Sequence, residues 1–256
     1  MKIIDAHIHT IFRPSKFFEE YRLMGVEAVI TVAFYPITPT HTNTLEDLFR
    51  WLIKRETKRL QAAGIVCYCG IGIHPRSIPG KFDTKIYNFI KENMGGRVVA
   101  LGEIGLEKAT EEEIEVLEKQ LIMAKEHNNF PVILHTPGKN KRDITKKLIE
   151  LLESIGITNG IIDHVSPENI DLALNTKLYI GLTVQKGKLT MDSFLQIIRE
   201  QEDQINRIIL NSDLGIDIAH KFIVPKTIQR MAEEGIDEKI IQKISHKNAE
   251  KLFKIL

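Results

Sequence analysis

The stretch Ile3-Ile4-Asp5-Ala6-His7-Ile8-His9 is a short apolar run that ends in ionisable side chains. Seven more such runs follow, at 28–34, 65–73, 97–103, 131–135, 160–165, 177–184 and 207–213. They are rich in Ile and Val and nearly continuous, which predicts parallel strands buried on both faces. Helical periodicity fills the gaps, at 14–24, 44–63, 83–94, 110–127, 140–155, 167–175 and 190–203, with 217–233 and 237–254 after the last run. Asp83, Thr110, Ser166 and Thr190 are capping residues at helix starts, and Thr110 with Glu113 has capping-box spacing. Gly25, Gly64 and Gly156 stand where helices must stop. The run ends fall about 29 residues apart, the size of a strand–helix–strand unit. Eight strands alternating with helices predict an α/β fold, a single (β/α)8 TIM-type barrel domain over 1–256. An open doubly wound sheet is the structural alternative.

Composition narrows the class. Of 256 residues, 43% are hydrophobic and 27% charged, so a sizeable core forms and bulk disorder is excluded. Thirty-five Lys and Arg against 34 Asp and Glu leave a formal net charge of +1. Extended duplex binding is therefore not expected, although a local basic cleft is compatible with that balance. Cys67 and Cys69 are the only cysteines and fit a reducing compartment, so the expected location is the cytoplasm. They are read as a buried strand pair that could point inward. No apolar run is long enough to span a membrane, and the charged start Met1-Lys2-Ile3-Ile4-Asp5 is not expected to be a signal peptide.

Barrel chemistry gathers at the C-terminal ends of strands. Those ends carry His7 and His9, then His74, Glu103, His135, His164 and Asp213. Period-two alternation would place Asp5, His7 and His9 on one face. Imidazoles and carboxylates converging from different strands suit divalent ions, and a carboxylate can bridge two of them. The expectation is two divalent ions activating a water; zinc fits the histidine count, with manganese or magnesium as alternatives. Asp5 is read either as an acceptor orienting a ligand histidine or as a group satisfying backbone.

The motifs now carry a resemblance. Asp5-Ala6-His7-Ile8-His9, Gly72-Ile73-His74-Pro75, Gly102-Glu103-Ile104-Gly105-Leu106, Pro131-Val132-Ile133-Leu134-His135-Thr136 and Ser212-Asp213 occur in order, and Asn248-Ala249-Glu250-Lys251-Leu252-Phe253 follows near the end. Over residues 3 to about 253 the chain resembles the TatD family of metal-dependent hydrolases, within the amidohydrolase superfamily. The resemblance implies that His7, His9 and Asp213 bind one metal, that His135 and His164 bind the second, and that Glu103 bridges them. It implies a pocket-lining role for His74 and nuclease activity on DNA ends. Four places depart from the family pattern: Glu107 after GEIGL, Pro137 after His135-Thr136, His164-Val165-Ser166-Pro167, and Asn211-Ser212-Asp213-Leu214-Gly215. All four leave the ligands intact and alter what surrounds a substrate.

The functional expectation is hydrolysis of an ester bond, foremost a phosphodiester, with Asp213 taking the proton from the attacking water. Glu103 and His74 complete the catalytic set. Arg76, Lys141, Arg142 and Lys186 are the candidate substrate contacts, and Lys188 shares the loop of Lys186; these basic residues either meet phosphate or are simply solvated. A small-molecule ester or a nucleic-acid end is the expected partner. The alternatives are a lactone or cyclic-amide hydrolase on the same centre and a metal-bound binding protein. His127, His220 and His246 are read as surface or capping residues, and the 35–44 loop as one wall of a pocket.

Overall fold

The computed structural model describes residues 1–216 and 220–255. Its strands are β1 (Ile3–Ile8), β2 (Val26–Val32), β3 (Val66–Ile71), β4 (Val98–Gly105), β5 (Val132–His135), β6 (Gly160–Ile162), β7 (Tyr179–Thr183) and β8 (Ile208–Asn211). They pair in parallel, in sequence order. The first and last meet: Asp213 N donates to His7 O at 2.8 Å, and His9 N to Leu214 O at 2.9 Å. This is the (β/α)8 barrel, and the sequential order with meeting ends excludes the open doubly wound sheet.

Alternate strand residues serve two apolar layers. Ile8, Val29, Leu134 and Leu210 pack outward against Phe18, Phe49, Leu148 and Phe194 of the helices. Ile4, Ala6, Ile30, Ile133, Ile161 and Ile209 fill the inside, joined by Phe253 and Ile255 from the end of the chain. Two residues beyond Ile133, Ile161 and Ile209 stand His135, Asp163 and Asn211, so the parity that buries the isoleucines delivers these polar groups to the mouth. Cys67 and Cys69 are buried free thiols in the outer layer, with Cys69 Sγ donating to Leu52 O at 3.4 Å. They face the helices and not the barrel interior, because their parity is that of Ile71.

Several boundaries differ from those the periodicity predicts. The 44–63 helix is one helical path of three parts, Asn43–Trp51, a π turn at Leu52–Glu56, and Thr57–Ala62. The 167–175 helix shrinks to Ile170–Leu174. Ser166 does not cap it; its own N–H donates to Asn169 Oδ1 at 2.9 Å. Thr110 does accept from Glu113 N, but the Glu113 carboxylate accepts from the N–H groups of Glu107, Lys108 and Ala109. That fixes the turn carrying Glu107 and is not the reciprocal capping box. The expected helix start at 217 lies outside the described residues, and the helix there is Ile223–Glu233. His220 is exposed and precedes that helix, while His127 caps the helix Glu111–Glu126.

Candidate metal centre

Strand β1 sets the site through an irregularity. Its register against β2 shifts between Asp5 and Ile8. Asp5, before the shift, keeps the ordinary alternation, outward between the inward Ile4 and Ala6, and accepts from Tyr21 Oη at 2.9 Å and Ser212 Oγ at 2.5 Å. His7, although next to the inward Ala6, also turns inward. The shared face expected for Asp5, His7 and His9 is thus broken, and Asp5 orients no candidate ligand. That task falls to Asp163: His7 Nδ1 lies 2.7 Å from its Oδ2. Oδ1 of Asp163 accepts from Asn211 Nδ2 at 2.7 Å and from His164 N at 3.0 Å. Room for this carboxylate comes from Gly181, where a Cβ would stand 2.0 Å from Asp163 Oδ1. Its place two residues past Ile161 was the sequence signal for Asp163.

His164 and Asp213 both have left-handed backbones, with φ of 60° and 48°. Such conformations are costly for residues with a Cβ and concentrate at functional sites. At β6 this lets the consecutive residues Asp163 and His164 both reach the interior.

Glu103, at the end of β4, is the hub. Its Oε1 lies 2.8 Å from His135 Nδ1 and 2.9 Å from His164 Nε2. Its Oε2 lies 3.4 Å from His7 Nε2 and 3.9 Å from His9 Nε2. The two oxygens thus face two different pairs of imidazoles. Asp213 Oδ1 faces His9 Nε2 at 2.9 Å and His7 Nε2 at 3.4 Å, while Oδ2 pairs with Lys188. The trios His7/His164/Asp213, His7/His9/Glu103 and His74/Glu103/His135 each bring their ligand atoms within 4.8 Å of one another.

The donor set fits divalent ions on a further observation. His7 Nε2 is buried and has no hydrogen-bond partner, although its ring is fixed by Asp163 at the other nitrogen. An orphaned buried nitrogen is expensive unless something positive meets its lone pair. His9 is arranged alike, with Nδ1 on Val32 O at 3.0 Å. Electrostatics agree. Burial opposes charge on His7 and His135, yet nearby carboxylates, Glu103 foremost, raise both above the ordinary histidine value. Burial and Lys188 push His164 down to about 4, leaving a neutral imidazole. Burial works against the Glu103 carboxylate, but His7, His74 and His135 outweigh it and hold Glu103 well below the usual range.

His74 differs from the expectation. It is buried beneath Phe34 and beside His135, with ring centroids 5.0 and 4.6 Å away, and does not line the cavity. Its Nδ1 accepts from Arg76 N at 3.0 Å, so in the neutral ring Nε2 carries the proton. Nε2 points at Glu103 Oε2, 3.7 Å away. That distance is beyond hydrogen-bond reach and Nε2 has no partner among the described residues, so His74 sits behind Glu103 without bonding it and is not a wall touching substrate.

Above the centre opens a cavity of about 890 Å³. Arg76, Lys141, Lys186 and Lys188 line it, as does Pro36 from the 35–44 loop. Arg142 does not. Its guanidinium is exposed and makes two 2.7 Å bonds to Asp171, because one helical step past Lys141 turns it outward. Lys139, from the basic loop after β5, lines the same mouth, as does Lys108, which the sequence did not single out. Glu107, noted only as a departure, lies 2.8 Å from His135 Nε2 through its Oε2.

Comparison with known proteins adds three findings. The family described as TatD related DNase matches residues 4–254. An uncharacterized metal-dependent hydrolase of Methanocaldococcus jannaschii is 34% identical over 256 residues, covering 99% of this chain and 100% of the relative. The crystal structure of a TatD-like protein from Archaeoglobus fulgidus superposes with a TM-score of 0.83 at 34% identity, covering 98% of this chain and all of that one. A β-aspartyl dipeptidase from Fervidobacterium islandicum shares the fold at 19% identity, with a TM-score of 0.68 over 99% of this chain and 74% of its own. The family match runs nearly end to end, over the strand ends where the imidazoles converge, and on that ground the chain belongs to the TatD-related family of metal-dependent hydrolases.

Proposed function

We propose that this chain hydrolyses a phosphodiester at two divalent ions held by His7, His9 and Asp213 on one side and His135 and His164 on the other, with Glu103 between them. The division of the Glu103 oxygens between the two histidine pairs supports the bridging role. Nitrogen and oxygen donors with no thiolate suit zinc, and manganese equally. When bound, such ions supply a water acidified to near-neutral pKa and a Lewis acid for the phosphoryl oxygens. The chain's own residues do the rest. Asp163 holds His7 in the tautomer that presents Nε2. His74 packs against His135 and faces Glu103 from 3.7 Å, which keeps water away from the back of that carboxylate. Asp213, with Oδ1 facing the centre and Oδ2 on Lys188, takes the proton from the attacking water.

The observation that carries the phosphate reading is the charge of the mouth. Among the described residues, Arg76, Lys108, Lys139, Lys141, Lys186 and Lys188 line it, against Glu107, Glu168 and Asp213. Such a cleft focuses positive potential on an anionic substrate although the molecule as a whole is nearly neutral. A lactone or cyclic amide would gain nothing from that excess.

The mouth is a pit above a barrel, so a strand end can enter where a continuous duplex cannot. Nucleic acid, as substrate, is therefore cut from an end. The test is incubation of metal-loaded protein with a linear single strand and with its covalently closed circle. The linear form should shorten while the circle persists; efficient cleavage of the circle would defeat the end-only reading.

A further inference from the structure

One cation in the cavity is built differently from the others. Lys141 is 8% exposed, whereas Lys139 and Lys186 are open to solvent. Its Nζ donates to His164 O at 2.7 Å and to Thr136 Oγ1 at 3.3 Å. An ammonium has three protons to give, so one donor remains. Among the described residues no carboxylate comes within 4.0 Å of it. A buried charge is ordinarily matched by an opposite one, since the cost of removing it from water is several kcal/mol. Here, among the described residues, Glu168, Asp163 and Glu107 act on it only from beyond contact distance, and the side chain lines the cavity.

The place of this lysine is also specific. It engages the backbone carbonyl of His164, while the tip of that residue, Nε2, faces Glu103. The length of the His164 side chain therefore separates Lys141 from the reacting centre. Lys188 reaches the same residue from the other strand, with Nζ donating to His164 Nδ1 at 3.0 Å. Lys141 is the first residue of the helix Lys141–Ile155, so the positive end of the helix dipole falls on the same wall.

We infer that Lys141, assisted by Lys188, forms a second anion subsite that binds a phosphate group of the substrate other than the one hydrolysed. The inference rests on the phosphoester reading for its role in turnover, but the subsite exists with or without turnover. It requires a substrate with two phosphate groups, either a strand end that carries a terminal phosphate or a small bisphosphorylated ester.

Binding and turnover test it separately. Inorganic phosphate is titrated calorimetrically into the full chain stripped of metal with a chelator. Saturable binding is expected, and Lys141→Met should weaken it by about tenfold, the worth of one charge-assisted hydrogen bond. Lys141→Arg should keep most of it, and Lys188→Met, at a more exposed position whose loss does not threaten folding, should weaken it less. Arg142→Gln, outside the cavity, should bind as the parent does. Equal binding by the parent, Lys141→Met and Lys188→Met, or no binding by the parent, would overturn the subsite. In the metal-loaded protein, a dithymidine monophosphate with a 5′-phosphate should be preferred over the same dinucleotide without one, and Lys141→Met should erase the preference. Tighter binding of a 5′-phosphorylated oligonucleotide than of inorganic phosphate would identify a strand end as the source, and equal binding a small ester. Hydrolysis of neither dinucleotide would count against the phosphodiester reading and leave the titration to decide the subsite.

Discussion

At the residue scale, each imidazole of the centre is defined by what its far nitrogen does. Asp163 and Val32 O occupy Nδ1 of His7 and His9 and leave Nε2 to the interior. The Arg76 N–H does the reverse to His74, whose Nδ1 accepts, so the proton of the neutral ring sits on Nε2. Two predictions belong here. First, His7 and His135 hold protons to higher pH than an ordinary histidine when no ion is present. A divalent ion must displace those protons, so metal affinity should decline as pH falls through the raised values and level off above them. Calorimetric titration with zinc at about pH 7, in buffers of different ionisation heat, should reveal proton release; its absence would contradict the assignment. Second, Asp213→Asn should lower kcat by about 10²–10⁴ if the carboxylate takes the water's proton, with KM changed far less. Steady-state kinetics on protein verified to retain its metal would decide this, and near-normal turnover would rule the role out. The imidazoles and carboxylates that converge around Glu103 were legible in the sequence because they stand at strand ends in order. The orienting role of Asp163 was hidden, because it depends on the β1 irregularity that brings His7 in beside the inward Ala6.

At the scale of elements, the π turn at Leu52–Glu56 ties the helical layer to the loop after β1. Glu56, 1% exposed, accepts from Trp51 Nε1 at 3.0 Å and from Arg59 Nε at 3.0 Å. Arg59 in turn donates to Thr10 O at 2.8 Å and Arg13 O at 3.0 Å, which holds the loop directly beyond His9. Burial opposes ionisation of Glu56, but the hydrogen bonds from Arg59, Thr10 and Trp51 outweigh it and lower its pKa below 4.5. A lowered acid contributes stability that is complete above its unfolded value and is lost as pH falls through the folded one. Glu56→Gln should therefore destabilise by about 1–3 kcal/mol at neutral pH, and the gap to the parent should narrow on acidification below about pH 4. Urea unfolding of both proteins at the two pH values checks this; a gap that widens in acid would be the wrong sign. The strands and the main helices followed from apolar periodicity. The π turn, the shortening of the 167–175 helix to Ile170–Leu174 and the Glu113 cap did not, because each is decided by local backbone and side-chain partners that periodicity does not report.

At the scale of the molecule, a nearly neutral chain sets six basic side chains, among the described residues, around the cavity at the mouth of the barrel. The same strand parity that packs isoleucines inside carries His135 and Asp163 to that end, directly beneath the lysines. Among the described residues no helix is long and apolar enough to cross a membrane. The barrel was readable from the repeat of about 29 residues, whereas the split between Lys141, turned in, and Arg142, turned out, required the helix phase. The central claim is that this centre, under this mouth, hydrolyses phosphoesters. Its most direct test is a single activity screen of metal-reconstituted and chelator-stripped protein against a phosphodiester, a phosphomonoester and a lactone. The account predicts hydrolysis of the phosphodiester that disappears on stripping and returns with metal. Metal-dependent turnover of the lactone, with none of either phosphoester, would contradict it.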